Sequence, residues 1–274
     1  MMRIKSRCIP LLLYLLFFCG CENSADSKKS HQQVEYIERL HHQKKWTPLA
    51  PQKKAMPRYA WETEIPAPFP NITKEYFRCR GSVMNPTRYI HKSHALERLE
   101  DCGGSTSHSL PLKNGKEFIY PILIDLMNYL QKTTRHKVVI TSGHRCPKHH
   151  QYARIDGQSL HSKHMLGAET SFYVQGFEHE PEKIVELLMN YYQNPKYTNE
   201  YTDFQRYMRD DVDVSTLPWY NKEIYIKLYL EGEGRDFDNR HPYPYIRIQV
   251  RYDRDEDKRV LFNWDLAEKN YLRL

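Results

Sequence analysis

Apolar residues recur at helical spacing across Lys116–Thr133, where Phe118, Ile122, Leu123, Leu126, Met127 and Leu130 share a face and Pro121 sits in the first turn. That spacing predicts a helix. A second is predicted over Pro181–Gln193, opened by Pro181 and carrying Ile184, Leu187, Leu188 and Tyr191 on one side, and a short third over Cys146–Ala153. Short β-branched or apolar runs predict strands at Lys137–Thr141 and Ala168–Gln175. Toward the C-terminus the period drops to two. Glu223–Leu230, Tyr245–Tyr252 and Arg259–Trp264 alternate apolar and polar residues between short charged turns, Asp253–Lys258 among them, and predict an antiparallel meander. Helices first and strands mostly later make an α+β domain, a small antiparallel sheet with helices packed on it.

The first 20 residues follow another pattern. Arg3, Lys5 and Arg7 precede an apolar run from Ile9 to Phe18, too short to span a bilayer and read as an export signal. Cys19-Gly20-Cys21 then resembles a lipobox. Cleavage before Cys21 and its acylation would tether the mature chain to the periplasmic face of a bacterial membrane; the alternatives are an uncleaved anchor or a plain signal peptide. Residues 21–74 are polar and punctuated by Pro48, Pro51, Pro57, Pro66, Pro68 and Pro70. They read as a tether, with a short helix around Gln33–Leu40. The folded domain is expected over residues 75–274.

Charge and cysteines narrow the class further. The chain carries a formal +7, which falls to +4 once Arg3, Lys5 and Arg7 leave with the signal. No Arg-rich block is interleaved with aromatics, so nucleic acid is not an expected partner; a mild positive charge suits anionic lipid or an anionic cell-wall polymer. In an oxidising compartment a Cys79–Cys102 disulfide is expected, worth about 3 kcal/mol in the chain-entropy picture. Cys146 is then the odd cysteine, or the true partner of one of the other two. A cysteine zinc site is the alternative, without a C-x-x-C spacing to support it.

The candidate chemistry lies in two segments. Thr141-Ser142-Gly143-His144-Arg145 closes the first strand, where Gly143 permits a sharp exit and a strand-end guanidinium can grip a carboxylate. Ser162-Lys163-His164-Met165-Leu166-Gly167 leads into Ala168–Gln175, with positions 169 and 171 on one strand face. Together these resemble the LAS group of zinc metallopeptidases, the D-Ala-D-Ala carboxypeptidases and murein endopeptidases. Their pattern is Ser-Gly-Tyr-Arg at a strand end, then Ser-x-His-x-x-Gly-x-Ala-x-Asp, then a late strand bearing a second His with an acidic neighbour. The likeness covers about Glu117 to Tyr252, with His144 where the pattern has Tyr.

The resemblance implies a LAS/hedgehog-like peptidase fold and a Zn²⁺ that lowers the pKa of a bound water toward about 7. It implies peptidoglycan stem peptides as substrate. Carried over, His164 is the first zinc ligand and Arg145 the carboxylate clamp, with Ser142 and Ser162 beside it in the substrate site. Ser171 stands at the position of the pattern's Asp, and Glu169 is the carboxylate that would reach back in its stead. His241 is the second ligand and Asp238 the general base, or Asp238-Asn239-Arg240-His241 is only a rigid turn. The late strand's own ligand position falls near Arg247. His149, His150 and His161 read as solvated loop residues, although His161, His164 and His241 would make a site needing no carboxylate. Many of the 21 tyrosines lie in the tail strands and suit packing or a stacking groove. Two functions follow: a zinc DD-peptidase, or a catalytically degenerate, zinc-free module of the same fold that binds peptidoglycan or a protein.

Overall fold

The computed structural model describes residues 69–92, 95–154, 159–208 and 213–273. The expected signal, Cys21 and the helix around Gln33–Leu40 lie outside them, as does all but the end of the tether.

Six antiparallel strands form the main sheet, in the spatial order β5 (Val138–Ser142), β6 (Glu169–Val174), β10 (Tyr245–Val250), β9 (Ile224–Tyr229), β8 (Trp219–Tyr220) and β7 (Gln205–Arg206). Side chains alternate across each strand. One face therefore carries Ile140, Phe172, Val174, Ile224, Ile226, Leu228, Ile246, Ile248 and Val250, all buried in one cluster with α1 (Pro121–Thr134) and α3 (Pro181–Tyr191). Leu123, Leu126, Met127 and Leu130 of α1 are fully buried there, each worth roughly 1.5–3 kcal/mol. The opposite face carries Glu169, Ser171, Tyr229, Tyr245, Arg247 and Gln249. The molecule is α+β, as the patterning predicts.

Four elements differ from the sequence expectation. The first helix starts at Pro121 because Lys116–Glu117 (β4) turns back to pair with β3 (His108–Lys113). Arg259–Trp264 is not a meander strand: Lys258–Arg259 (β12) pairs only with Tyr252–Asp253 (β11), and Trp264 opens a short helix (α4, Trp264–Lys269) capped by the Asn263 side chain. The hairpin β1 (Arg88–Lys92)–β2 (Ala95–Leu99) and the strand β13 (Tyr271–Arg273), which lies on β3, were not anticipated. The folded body also begins before residue 75. Ile72 is in the core, with its amide donating to Asn128 Oδ1 at 2.8 Å and Gln131 Nε2 donating to the Pro70 carbonyl at 2.9 Å.

Candidate functional site

The site face is built by two loops and two strands. Gly143 leaves β5 in close contact with Phe77: a Cβ there would come within 2.5 Å of the Phe77 Cα and carbonyl oxygen. His144 N donates to that carbonyl at 2.6 Å, which fixes the loop that presents Arg145. The second loop is a single 3-10 turn, Lys163–Leu166. The Ser162 Oγ accepts from His164 N at its start, and Gly167 closes it at φ 68°, a conformation glycine adopts without strain. The turn delivers His164 to the head of β6.

His164 is buried, and its Nδ1–H donates to the Gly143 carbonyl at 2.6 Å. Its Nε2 is therefore a bare lone pair, with no hydrogen-bond partner; Glu169 Oε1 lies 3.9 Å from it. A backbone carbonyl on one nitrogen and a free second nitrogen is the state of a metal-ligating imidazole. The remaining donors do not complete a metal site. Glu169 accepts from Ser162 Oγ (2.9 Å), His164 N (3.1 Å) and Gln249 Nε2 (2.9 Å). Ser171 lies directly opposite Arg247 in the β6–β10 ladder, and Arg247 Nε stands 3.2 Å from Ser171 Oγ and 3.7 Å from Glu169 Oε1. Its Nη1 donates to Tyr229 Oη at 2.9 Å and its Nη2 lies 3.4 Å from Asp236 Oδ2. The Arg247 guanidinium thus sits against Glu169, the carboxylate that lies beside His164, and brings a positive charge where a metal would need donors.

His241 does not converge on His164. Its ring packs among Tyr173, Tyr243 and Tyr245, with centroids 5.0 Å from Tyr173 and 5.7 Å from Tyr245. His161 is exposed and sits against Phe262 and Trp264. Among the described residues neither His164, Glu169 and His241 nor the three histidines form a group with metal-ligand spacing. The zinc site expected from the sequence is thus not assembled by these residues.

Arg145 and Asp238 depart from their expected roles in the same way. Arg145 is 2 % exposed, with Nη2 on Asp236 Oδ2 and Nε on Asp238 Oδ2, both at 2.8 Å, and Nε also donating to Ser142 Oγ at 2.7 Å. Its hydrogen-bonding edge is spent inside the protein, so it is not free to hold a substrate carboxylate. Burial alone would raise the Asp238 pKa, but Arg145 and His149 overcome it and hold the carboxyl far below the usual range, which makes it a weak base.

His149 and His150, expected in solvent, are both buried. His149 bonds two carboxylates, Asp101 Oδ1 at 2.6 Å and Asp238 Oδ1 at 3.0 Å. Burial opposes its charge, yet these two partners raise its pKa to about 10. The result is a chain of alternating charge: Asp101, His149, Asp238, Arg145, Asp236, Arg247, Glu169. Sequence reasoning missed Asp101, Asp236 and Asn239. Asn239 is held by Thr141 Oγ1 at 2.6 Å and by Asp236, so the segment Asp236–Asn239 is laid over the site face as a plug. Two acids and an Asn within four residues were the only signal.

The Cys79–Cys102 bridge is not made: the two Sγ atoms are 3.7 Å apart and both thiols, with that of Cys146, are free and buried, whereas a disulfide needs about 2.05 Å.

A separate cleft of about 720 Å³ opens where β9 begins and β10 ends. Lys163, Lys222, Arg251 and Arg259 line it with Tyr220 and Tyr252, against the acids Glu200 and Asp203. The Arg251 guanidinium lies 4.5 Å over the Tyr220 ring and Lys222 Nζ 4.8 Å over the Tyr252 ring. Burial lowers the Lys163 ammonium to about 8.

No family model, no curated protein and no solved structure matches this chain.

Proposed function

We propose that this chain is a non-hydrolytic domain of LAS-like fold, tethered at the cell envelope, that binds anionic cell-wall peptide and does not cleave it. The observation that carries this reading is the position of Arg247. In the LAS pattern a late-strand His and an Asp from the earlier strand would meet around Zn²⁺. Here Arg247 faces Ser171 across the same pair of strands. The exchange conserves charge: a dication with one carboxylate and neutral imidazoles carries +1, and so does one guanidinium beside a serine. The field around His164 and Glu169 is preserved while the Lewis acid and its activated water are removed. The engagement of Arg145 by Asp236 and Asp238 supports the same conclusion, since the substrate clamp of the peptidases is closed internally.

Binding is assigned to the cationic cleft, whose Tyr220, Tyr252, Lys222, Arg251 and Arg259 offer stacking faces and positive charge together. The test combines two assays on the purified protein. Incubation with muropeptides and added zinc should release no product. Titration with the same muropeptides should show binding that weakens at least tenfold in Arg251→Glu. Zinc-dependent hydrolysis that disappears in His164→Ala would establish the peptidase instead, and muropeptide binding unaffected by Arg251→Glu would remove the cleft from the proposal.

A further inference from the structure

Cys79, Cys102, Cys146 and His108 come from four separate places in the chain. Cys79 follows the 3-10 turn Lys74–Phe77, and Cys102 follows β2. His108 opens β3, and Cys146 caps the helix α2 (Pro147–Ala153). Their donor atoms nevertheless all lie within 4.8 Å of one another, and all four residues are buried, with exposures of 2–6 %.

Two of the six separations match the edges of a tetrahedron. Cys79 Sγ to Cys102 Sγ is 3.7 Å, and Cys102 Sγ to His108 Nε2 is 3.6 Å. With Zn–S near 2.3 Å and Zn–N near 2.0–2.1 Å, tetrahedral edges are about 3.8 Å for S···S and about 3.6 Å for S···N. The imidazole is set in the ligating tautomer. His108 Nδ1–H donates to the Ser109 carbonyl at 2.9 Å, which leaves the Nε2 lone pair turned into the group. Backbone amides point at two of the sulfurs, Gly104 N to Cys102 Sγ at 3.2 Å and His149 N to Cys146 Sγ at 3.3 Å, as suits thiolates better than thiols. Gly81 allows the approach, because a Cβ there would overlap Cys102 Sγ.

The geometry points to a structural Zn²⁺ held by Cys79, Cys102, Cys146 and His108, a site independent of the LAS-like one and of its loss. Three thiolates and a neutral imidazole fill all four positions, so the metal has no open coordination place and serves to fasten the fold. Such a staple has a clear task here. It joins the segment after Phe77, the β1–β2 hairpin and β3 to the loop that ends in Arg145-Cys146, and a disulfide between any two of the cysteines would leave the third thiol and His108 Nε2 buried without the fourth group of the set.

The test is metal content and spectroscopy on the full chain, carrying no polyhistidine tag and purified with a thiol reductant. Expected is one zinc per chain that survives desalting, is lost in Cys102→Ser and in His108→Ala, and is retained in His164→Ala. If the cysteine variants do not fold, the wild-type protein still decides: loaded with Co²⁺ alone it should show intense thiolate-to-metal absorption in the near ultraviolet with tetrahedral bands in the visible, and a thiol reagent should react with Cys79, Cys102 and Cys146 many times faster once a chelator is present. Zinc below one tenth per chain, an octahedral cobalt spectrum, or zinc lost in His164→Ala but kept in the cysteine variants would overturn the assignment. So would a peptide linked by a disulfide between two of Cys79, Cys102 and Cys146, recovered in a non-reducing digest of protein prepared without reductant.

Discussion

Arg247 and Ser171 face each other across the β6–β10 ladder, with Arg247 Nε 3.2 Å from Ser171 Oγ. Neither side chain explains the other alone. A serine hydroxyl is a weak partner for a buried guanidinium, and Arg247 is held because Glu169, Asp236 and Tyr229 close around it. The arginine is thus the hub that joins the His164 loop to the Asp236–Asn239 plug.

Removing that hub should be costly. Arg247→Ala leaves Glu169 and Asp236 as buried carboxylates short of one cation, and such a break typically costs about 3–5 kcal/mol. Arg247→Lys keeps the charge but not the planar fork, and should fall between the two. Urea unfolding measures both. A loss under about 1 kcal/mol for the alanine variant would mean that water reaches the network.

How far this arrangement could be read from the sequence depends on the distance between partners. The alternation in Tyr245–Val250 puts Tyr245, Arg247 and Gln249 on one face without any structure, and 169 and 171 share a face by the same rule. What alternation cannot supply is the register between two strands 76 positions apart in sequence, which is what sets Arg247 against Ser171 and Gln249 against Glu169. The helices α1 and α3 were legible because their contacts repeat every turn. The hairpin β1–β2 was not, since Tyr89 and Leu96 are exposed on it and no clean alternation marks an inner face. Arg145 illustrates the limit of motif reading: the sequence presents it at a strand end, and two aspartates more than 90 positions away turn it inward.

Gly143 should resist substitution. An added methyl meets the Phe77 backbone, and Phe77 is itself fully buried and bonded to His144 N through its carbonyl, so neither side can yield cheaply. Overpacking of this kind costs roughly 1–3 kcal/mol. Gly143→Ala should lower the thermal midpoint by several degrees; an unchanged midpoint would show that the Gly143–Phe77 contact is looser than the structure has it.

Stability should peak near neutral pH. His164 is kept neutral in the folded protein: burial first, then Arg145 and Arg247, outweigh the pull of Glu169 and hold its pKa at about 4 against 6.5. The unfolded chain therefore binds the proton first. The stabilisation is complete above pH 6.5 and is lost as pH falls from there to 4, by about 3 kcal/mol over the window. His150, at about 4 for the same leading reason of burial, acts in the same direction. His149 acts oppositely: with its pKa raised to about 10, its contribution is whole below pH 6.5 and drains away as pH rises to 10. Chemical denaturation at half-unit steps from pH 4.5 to 9 should trace a maximum between 6 and 7.5, and His164→Asn should flatten its acid limb. Onset of acid loss only below pH 4.5 would assign it to carboxylates alone.

On the proposed reading, Ser171→Asp together with Arg247→His should create a metal site. Ser171→Asp alone puts a carboxylate opposite a guanidinium, and the two should pair, so this variant gains stability and no metal. Arg247→His alone frees the space but supplies only imidazoles and Glu169, which is already held by Ser162 and Gln249. The two changes together supply the donor set of the LAS pattern around a His164 Nε2 whose tautomer is already fixed by the Gly143 carbonyl. The double variant should therefore bind one more zinc per chain than the parent, with an affinity at least a hundredfold above either single change, measured by competition with a chromogenic chelator. Zinc uptake by Ser171→Asp as strong as by the pair would mean that Arg247 swings aside readily and does not itself keep a metal out.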